Sequence, residues 1–366
     1  MPPVLLASHH LRRGHCALRR RFEQVRMPEG HRAASLSEGV LRQSRRAVVA
    51  GCRRQARRSR NEWSPDYRDS ATDMKCILVI NADDFGYTGG INATIQCCAA
   101  EGVLRNTTLM ANGPAFDDAV AIAKANRSLS VGVHLNLTEL KPVASPDKVP
   151  TLVDETGAMQ SSPRGLAAAL VSGAVSAGDI RRELLAQVSK IMDCGIVPTH
   201  LDSHKHVHVL PPVLEVAIEI ARRYSIPWIR NPFEDASAWR LITAVGKNDR
   251  RVFLKQYAEA NIIKPLQPVF RHFVRRSGLR TPDGFHGLSV TGLWNEKVLS
   301  RLVGRLKPGV NEWMVHPGVV DQALKNARTR LLGQREVERD ILLSPVWVSL
   351  SDRHGFSVRG FGEELS

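Results

Sequence analysis

The chain has no run of about 18 consecutive apolar residues, which excludes a transmembrane helix of ordinary length. It also lacks the apolar core of a secretory signal, because MPPVLLASHHLRR turns to His and Arg after a few residues. Its cysteines (Cys16, Cys52, Cys76, Cys97, Cys98 and Cys194) contain no Cys-x-x-Cys spacing. Spread over 366 residues, they describe neither a disulfide scaffold nor a zinc ribbon, and a reducing cytoplasmic compartment is expected. No internal repeat is present. Lysine is absent from residues 1–73, whereas 12 lysines follow.

That last absence marks a change of regime. Residues 1–73 hold 16 arginines and 7 acidic residues, so they carry +9 of the chain's net +15. Arg-Arg pairs recur without sustained helical periodicity, and such a segment cannot bury enough apolar area to fold, so disorder is expected. Three roles fit its composition: a basic tail for nucleic acid or membrane, a targeting peptide, or upstream sequence that is not normally translated. Met74-Lys75 directly precedes the first apolar run, which favours the third. Residues 74–366 are expected to form one folded domain, with a net charge of +6 on an ordinary surface, and no nucleic-acid partner is expected for it.

From residue 76 short apolar runs alternate with helical patterns. CILVINA (76–82), TTLMANG (107–113), SVGVHLNLT (130–138), PWIRNP (227–232), HGLSVTG (286–292) and NEWMVHPG (311–318) read as strands of a parallel sheet. Helical spacing appears at 90–101, 115–126, 165–173, 179–194, 211–225 and 295–305. This alternation predicts an α/β fold, either a (β/α) barrel or a doubly wound sheet. Residues 139–165 make a loop too long for a simple connection, which points to a functional part. Residues 233–283 resist assignment and are a candidate lid or insertion.

The polar clusters fall at strand ends, where α/β folds build their active sites. Asp83-Asp84 places two carboxylates side by side, a repulsion that a cation would offset; a solvated turn is the plain alternative. His134 lies on an apolar strand, where a lone histidine is more often a satisfied rim residue than a ligand. THLDSHKHVH (199–208) reads as another strand, so His200, Asp202, His204, His206 and His208, at alternate positions, all point to one face. Imidazoles and carboxylates gathered in this way fit a divalent metal with ligands, supporting groups and substrate contacts. His316, after the strand ending in MVHPG, could act as a general acid. Arg230 could hold a carboxylate, stabilise charge, or form a plain surface salt bridge.

NADDFG (81–86), GVHLNLT (132–138), THLDSHKHVH (199–208) and HPG (316–318) together resemble the YdjC/ChbG-like carbohydrate deacetylases, over about residues 75–362. MANGPAF, LVDETG, FHGLS and the C-terminal RGF resemble its hopanoid-biosynthesis-associated branch. The resemblance implies an incomplete or distorted (β/α) barrel of the TIM type. It implies removal of an acetyl group from an N-acetylated sugar with one divalent ion, Mg²⁺ or Zn²⁺. Asp84, His134 and His204 would match the metal ligands, Asp83 the base and His316 the acid. Asp202, His200, His206, His208 and Arg230 would support ligands or substrate. The family often has another histidine where this chain has Lys205. The assembly, a homodimer among the alternatives, is left open. Two rival functions remain: a metal-dependent phosphoesterase, and a non-catalytic sugar-binding regulator. Glycosidase chemistry fits less well, since it needs two carboxylates astride the bond.

Overall fold

The computed structural model describes residues 76–159 and 161–365, so the expectations for residues 1–73 lie outside the described residues. β1 (Cys76–Phe85) is buried from Ile77 onward, as a parallel strand covered on both faces must be. It is followed by β2 (Asn106–Leu109), β3 (Ser130–Leu135), β4 (His200–Ser203), β5 (Trp228–Ile229), β6 (Gly284–His286), β7 (Gly309–Val315) and β8 (Phe356–Val358). All pairings are parallel, in the order β5-β4-β3-β2-β1-β7-β6, with β8 against the start of β1. The free edge of β5 meets the chain just ahead of β6: Ile229 N donates to Arg280 O at 3.0 Å, and Arg280 N to Pro227 O at 2.9 Å. The sheet is therefore a distorted (β/α) barrel rather than an open doubly wound sheet.

The helices are α1 (Gly89–Glu101), α2 (Phe116–Ala125), α3 (Pro163–Val171), α4 (Ala177–Asp193), α5 (Pro211–Arg223), α6 (Arg250–Ile262), α7 (Gln267–Ser277), α8 (Glu296–Val303), α9 (Gln322–Asn326), α10 (Gly333–Leu342) and α11 (Val346–His354). Their starts carry ordinary signals. The Thr88, Ser162 and Ser176 side chains accept from backbone N–H groups at the entries of α1, α3 and α4, and Pro211 opens α5.

Alternation along the strands sorts the barrel interior into layers. At the strand N-terminal ends, Ile77, Val79, Trp228, Val310 and Phe361 form an apolar plug. Above it, His200 Nε2 lies 2.9 Å from Asn81 Oδ1, and its ring sits 4.4 Å from that of Phe361. β3 makes room for this imidazole with Gly132, where a Cβ would come within 2.6 Å of the His200 ring. One step further toward the strand C-terminal ends come the charged groups Asp83, Asp202, Arg230 and Glu312, all buried.

The reading of residues 199–208 as one strand is corrected. β4 stops at Ser203, and His204–Val209 form 3₁₀ turns with Lys205 and His206 at φ of 55° and 56°. Ser203 Oγ accepts from His208 N at 2.9 Å and pairs with His208 Nδ1 at 2.7 Å, which folds the chain back on itself. Only His200 and Asp202 share the strand face. The apolar runs after β2, β3 and β6 also outlast the hydrogen-bonded ladder, because buried loops need apolar residues as strands do. Residues 233–283 connect β5 to β6 and include α6 and α7.

Candidate active site

The site begins with an irregularity in β1. Ala82 pairs with Thr107 and Phe85 with Leu109, so β1 spends three steps where β2 spends two. The extra residue is a bulge, and Asp84 takes a φ of 66°, which is rare without glycine. Adjacent strand residues ordinarily face opposite ways; here Asp83 and Asp84 line the same cavity of about 420 Å³. Gly86, at φ 92°, completes the turn out of the strand.

Asp84 Oδ1 is buried and receives no hydrogen bond. It faces His134 Nε2 at 3.6 Å and His204 Nδ1 at 3.2 Å, and the three atoms fall within 4.8 Å of one another. A carboxylate oxygen and two imidazole nitrogens turned toward a common point fit one divalent ion. Each imidazole is held from behind. His134 Nδ1 contacts Asp202 Oδ1 at 2.7 Å, and His204 Nε2 lies 2.5 Å from Glu139 Oε1. Such carboxylate–imidazole pairs fix the tautomer and aim the other nitrogen. Burial alone would depress the His204 imidazole, but Asp84 and Glu139 outweigh it and raise its pKa to about 9. A proton on His204 thus supplies part of the positive charge this acidic site calls for.

Arg230, at the end of β5, sits 1% exposed in the barrel. Nη1 and Nη2 each donate to Asp83 at 2.7 Å, Nη1 lies 2.8 Å from Asp202 Oδ2, and Nε donates to Glu312 Oε1 at 2.7 Å. Burial opposes ionisation of Asp83, yet Arg230 overrides it and holds the carboxyl well below its ordinary pKa. Glu312 fares differently, and burial raises it to about 7. Asp83, His134 and Asp202 also cluster closely enough to hold a cation, and the Arg230 guanidinium already fills that role by bonding both carboxylates. Among the described residues, Asp84, His134 and His204 are thus the candidate metal group that no arginine fills.

His316 follows β7 with Nε2 4.0 Å from Asp83 Oδ2. Burial lowers its pKa to about 4, so the imidazole is neutral at pH 7. His206 lines the cavity, and burial keeps it neutral as well. His208 faces Ser203 Oγ and the Arg230 carbonyl, so it braces the turn after β4. His200 is one layer deeper and reaches Asp83 only through Asn81, whose Nδ2 donates to Asp83 Oδ1 at 3.0 Å.

Sequence reasoning missed three charged groups. Glu139 comes from the long loop after β3, which Glu183 pins by accepting from Val143 N and Ala144 N. Arg335, on α10, donates Nη2 to Asp84 Oδ2 at 2.7 Å across 251 residues of chain. Its setting, GQREVERDIL, reads as a solvated helix and gave no signal. Glu312 could have been found, since a carboxylate amid GVNEWMV is out of place on an apolar strand.

A family model described as YdjC-like protein matches residues 77–353. The chain is 33% identical over 266 residues to a carbohydrate deacetylase of Thermoanaerobacter pseudethanolicus, covering 72% of this chain and 90% of that protein. A carbohydrate deacetylase of Geobacillus stearothermophilus is 32% identical over 291 residues, 79% of this chain and 98% of the relative. Among solved structures, a protein of Enterococcus faecalis, studied as a candidate cellobiose-phosphate cleavage protein, is similar with a TM-score of 0.61 at 26% identity. That likeness covers 78% of this chain and 98% of the other. With the family model spanning residues 77–353, most of the chain, the chain belongs to the YdjC-like family.

Proposed function

We propose that the chain is a carbohydrate deacetylase that hydrolyses the acetamide of an N-acetylated sugar, an N-acetylglucosamine-type oligosaccharide or glycolipid. One divalent ion, Mg²⁺ or Zn²⁺, is held by Asp84, His134 and His204. The observation that carries this reading is the convergence of those three ligand atoms in the same cavity as Asp83. The named activity of the relatives supports it. A divalent ion there would supply Lewis acidity to the amide carbonyl and to the attacking water.

The chain's own groups then divide the proton work. Asp83, kept as a carboxylate and oriented by Arg230, takes the proton of the attacking water. His316 enters neutral, so the proton it hands to the departing amine is one it first receives from Asp83, 4.0 Å away. Acetate and a free amino sugar leave, and the proton count balances. Asp202 and Glu139 keep His134 and His204 aimed, and Arg335 steadies the outer oxygen of Asp84.

The test is acetate release from N-acetylglucosamine, diacetylchitobiose and lipid-linked N-acetylglucosamine, with metal counted per chain before and after chelation. The expected result is one ion per chain and acetate from at least one substrate, abolished in Asp84→Asn. Phosphate release from phosphoesters in place of acetate, with two ions per chain, would overturn the reading.

A further inference from the structure

The net +6 of residues 74–366 is concentrated in one segment of sequence. Residues 236–277 contain nine basic and two acidic residues, a net +7, which leaves the rest of that domain near neutral. Eight of the nine are exposed, and Arg250, Arg251, Lys255, Arg271, Arg275 and Arg276 form no salt bridge among the described residues. The same segment is also the most apolar part of the surface. Trp239, Val252, Leu254, Ile262 and Val269 are half of the large apolar side chains exposed among the described residues. On α6 the pattern is inverted relative to a helix that only covers a core. Phe253, Gln256 and Ala260 turn inward, while Leu254, Ala258 and Ile262, spaced i, i+4, i+8, turn outward beside Arg251 and Lys255.

We propose that the outward face of α6 docks on the surface of an anionic lipid bilayer. Charge and shape together select that occupant. Aliphatic side chains flanked by Arg and Lys suit the boundary between acyl chains and negative headgroups, where the apolar groups leave water and the cations meet phosphates. A second copy of the same face would bring two positive surfaces together, and the Arg-rich residues 1–73 carry the same sign. Nucleic acid would use the cations but leave Leu254 and Ile262 in water. α6 also stands beside the cavity: Gln256 Nε2 donates to Thr291 O at 3.0 Å, and Thr291 lines the cleft. Docking through α6 therefore holds the cleft close to the headgroups. This inference does not depend on the reaction assigned to the cleft.

The experiment is sedimentation of the full chain with vesicles of phosphatidylcholine, with and without phosphatidylglycerol. Two variants are compared with the unaltered protein: Leu254→Asp with Ile262→Asp, and Arg251→Glu with Lys255→Glu. Residues 1–73 are identical in all three, so their contribution to binding cancels. The expected result is binding that requires phosphatidylglycerol. It should weaken roughly ten-fold or more in the aspartate variant, as two aliphatic side chains no longer leave water. The glutamate variant should weaken binding most at low salt. Unchanged melting temperatures establish that both variants fold. Equal binding by all three proteins, or no preference for phosphatidylglycerol, would overturn the proposal. So would a variant that alters self-association or DNA binding while leaving vesicle binding intact.

Discussion

Arg230 grips Asp83 through two parallel hydrogen bonds of 2.7 Å, while the same guanidinium also meets Asp202 and Glu312. Lysine could keep the charge but not the planar fork. Arg230→Lys is therefore expected to fold with its metal ligands in place and to lose kcat on the order of 10²-fold, because Asp83 is no longer aimed. Arg230→Met removes the countercharge and leaves buried carboxylates uncompensated, at a cost of about 3–5 kcal/mol in urea unfolding. Full kcat in Arg230→Lys would show that the clamp has no part in the reaction.

His204 carries the pH dependence. Its pKa in the folded, metal-free chain is raised to about 9 from an ordinary 6.5, with Asp84 and Glu139 overcoming burial. Because the folded value is the higher one, the stabilisation is complete below about 6.5 and is lost as pH rises through about 9. The melting temperature of metal-free protein should fall across that window. A metal must also displace the His204 proton, so binding at pH 7 should release about one proton per ion from it, and more to the extent that His134, which Asp202 raises against burial, is charged. Calorimetry in buffers of different ionisation enthalpy measures that number. Proton-neutral binding at pH 7 would remove His204 from the ligand set.

The parallel α/β sheet was legible because its strands are buried on both faces and read as apolar runs ending in polar residues, whereas its closure into a barrel came from the family resemblance alone. Asp83, Asp84 and His316 could be placed at strand ends, and His134 on an apolar strand, from that pattern alone. What the pattern could not reveal is the bulge at Asp84, since a one-residue slip in pairing has no compositional mark. The histidine-rich run misled for a related reason: alternate histidines mark one face only while the chain stays extended, and here it leaves the strand after Ser203. Glu139 and Arg335 were invisible because their partners are distant in sequence and their local contexts are ordinary loop and helix surface.

Glu139 tests whether the supporting carboxylate matters. It lies 2.5 Å from His204 Nε2, with Lys205 Nζ 3.4 Å from its other oxygen. Glu139→Gln keeps the shape and removes the charge. Loss of a carboxylate behind a metal-binding histidine typically costs about 10–100-fold in metal affinity. The variant should therefore require more metal to reach half-maximal acetate release, with kcat at saturating metal much less affected. Titration of metal against activity separates the two. A variant with unaltered metal dependence would assign Glu139 to substrate contact instead.

Gly132 ties the deeper histidine to the fold. A methyl at this position would come within 2.6 Å of the His200 ring, which is boxed in by Phe361 at 4.4 Å and hydrogen-bonded to Asn81. Gly132→Ala should destabilise by about 1–3 kcal/mol, the usual cost of overpacking a full core. If the clash is the cause, shortening the partner should relieve it. His200→Ala alone leaves a cavity and removes the side-chain partner of Asn81 Oδ1, yet the double variant should be more stable than the two single losses added together predict. Urea unfolding of all four proteins gives the coupling. Strict additivity would mean that Gly132→Ala acts through the β3 backbone, and that His200 could be moved without regard to β3.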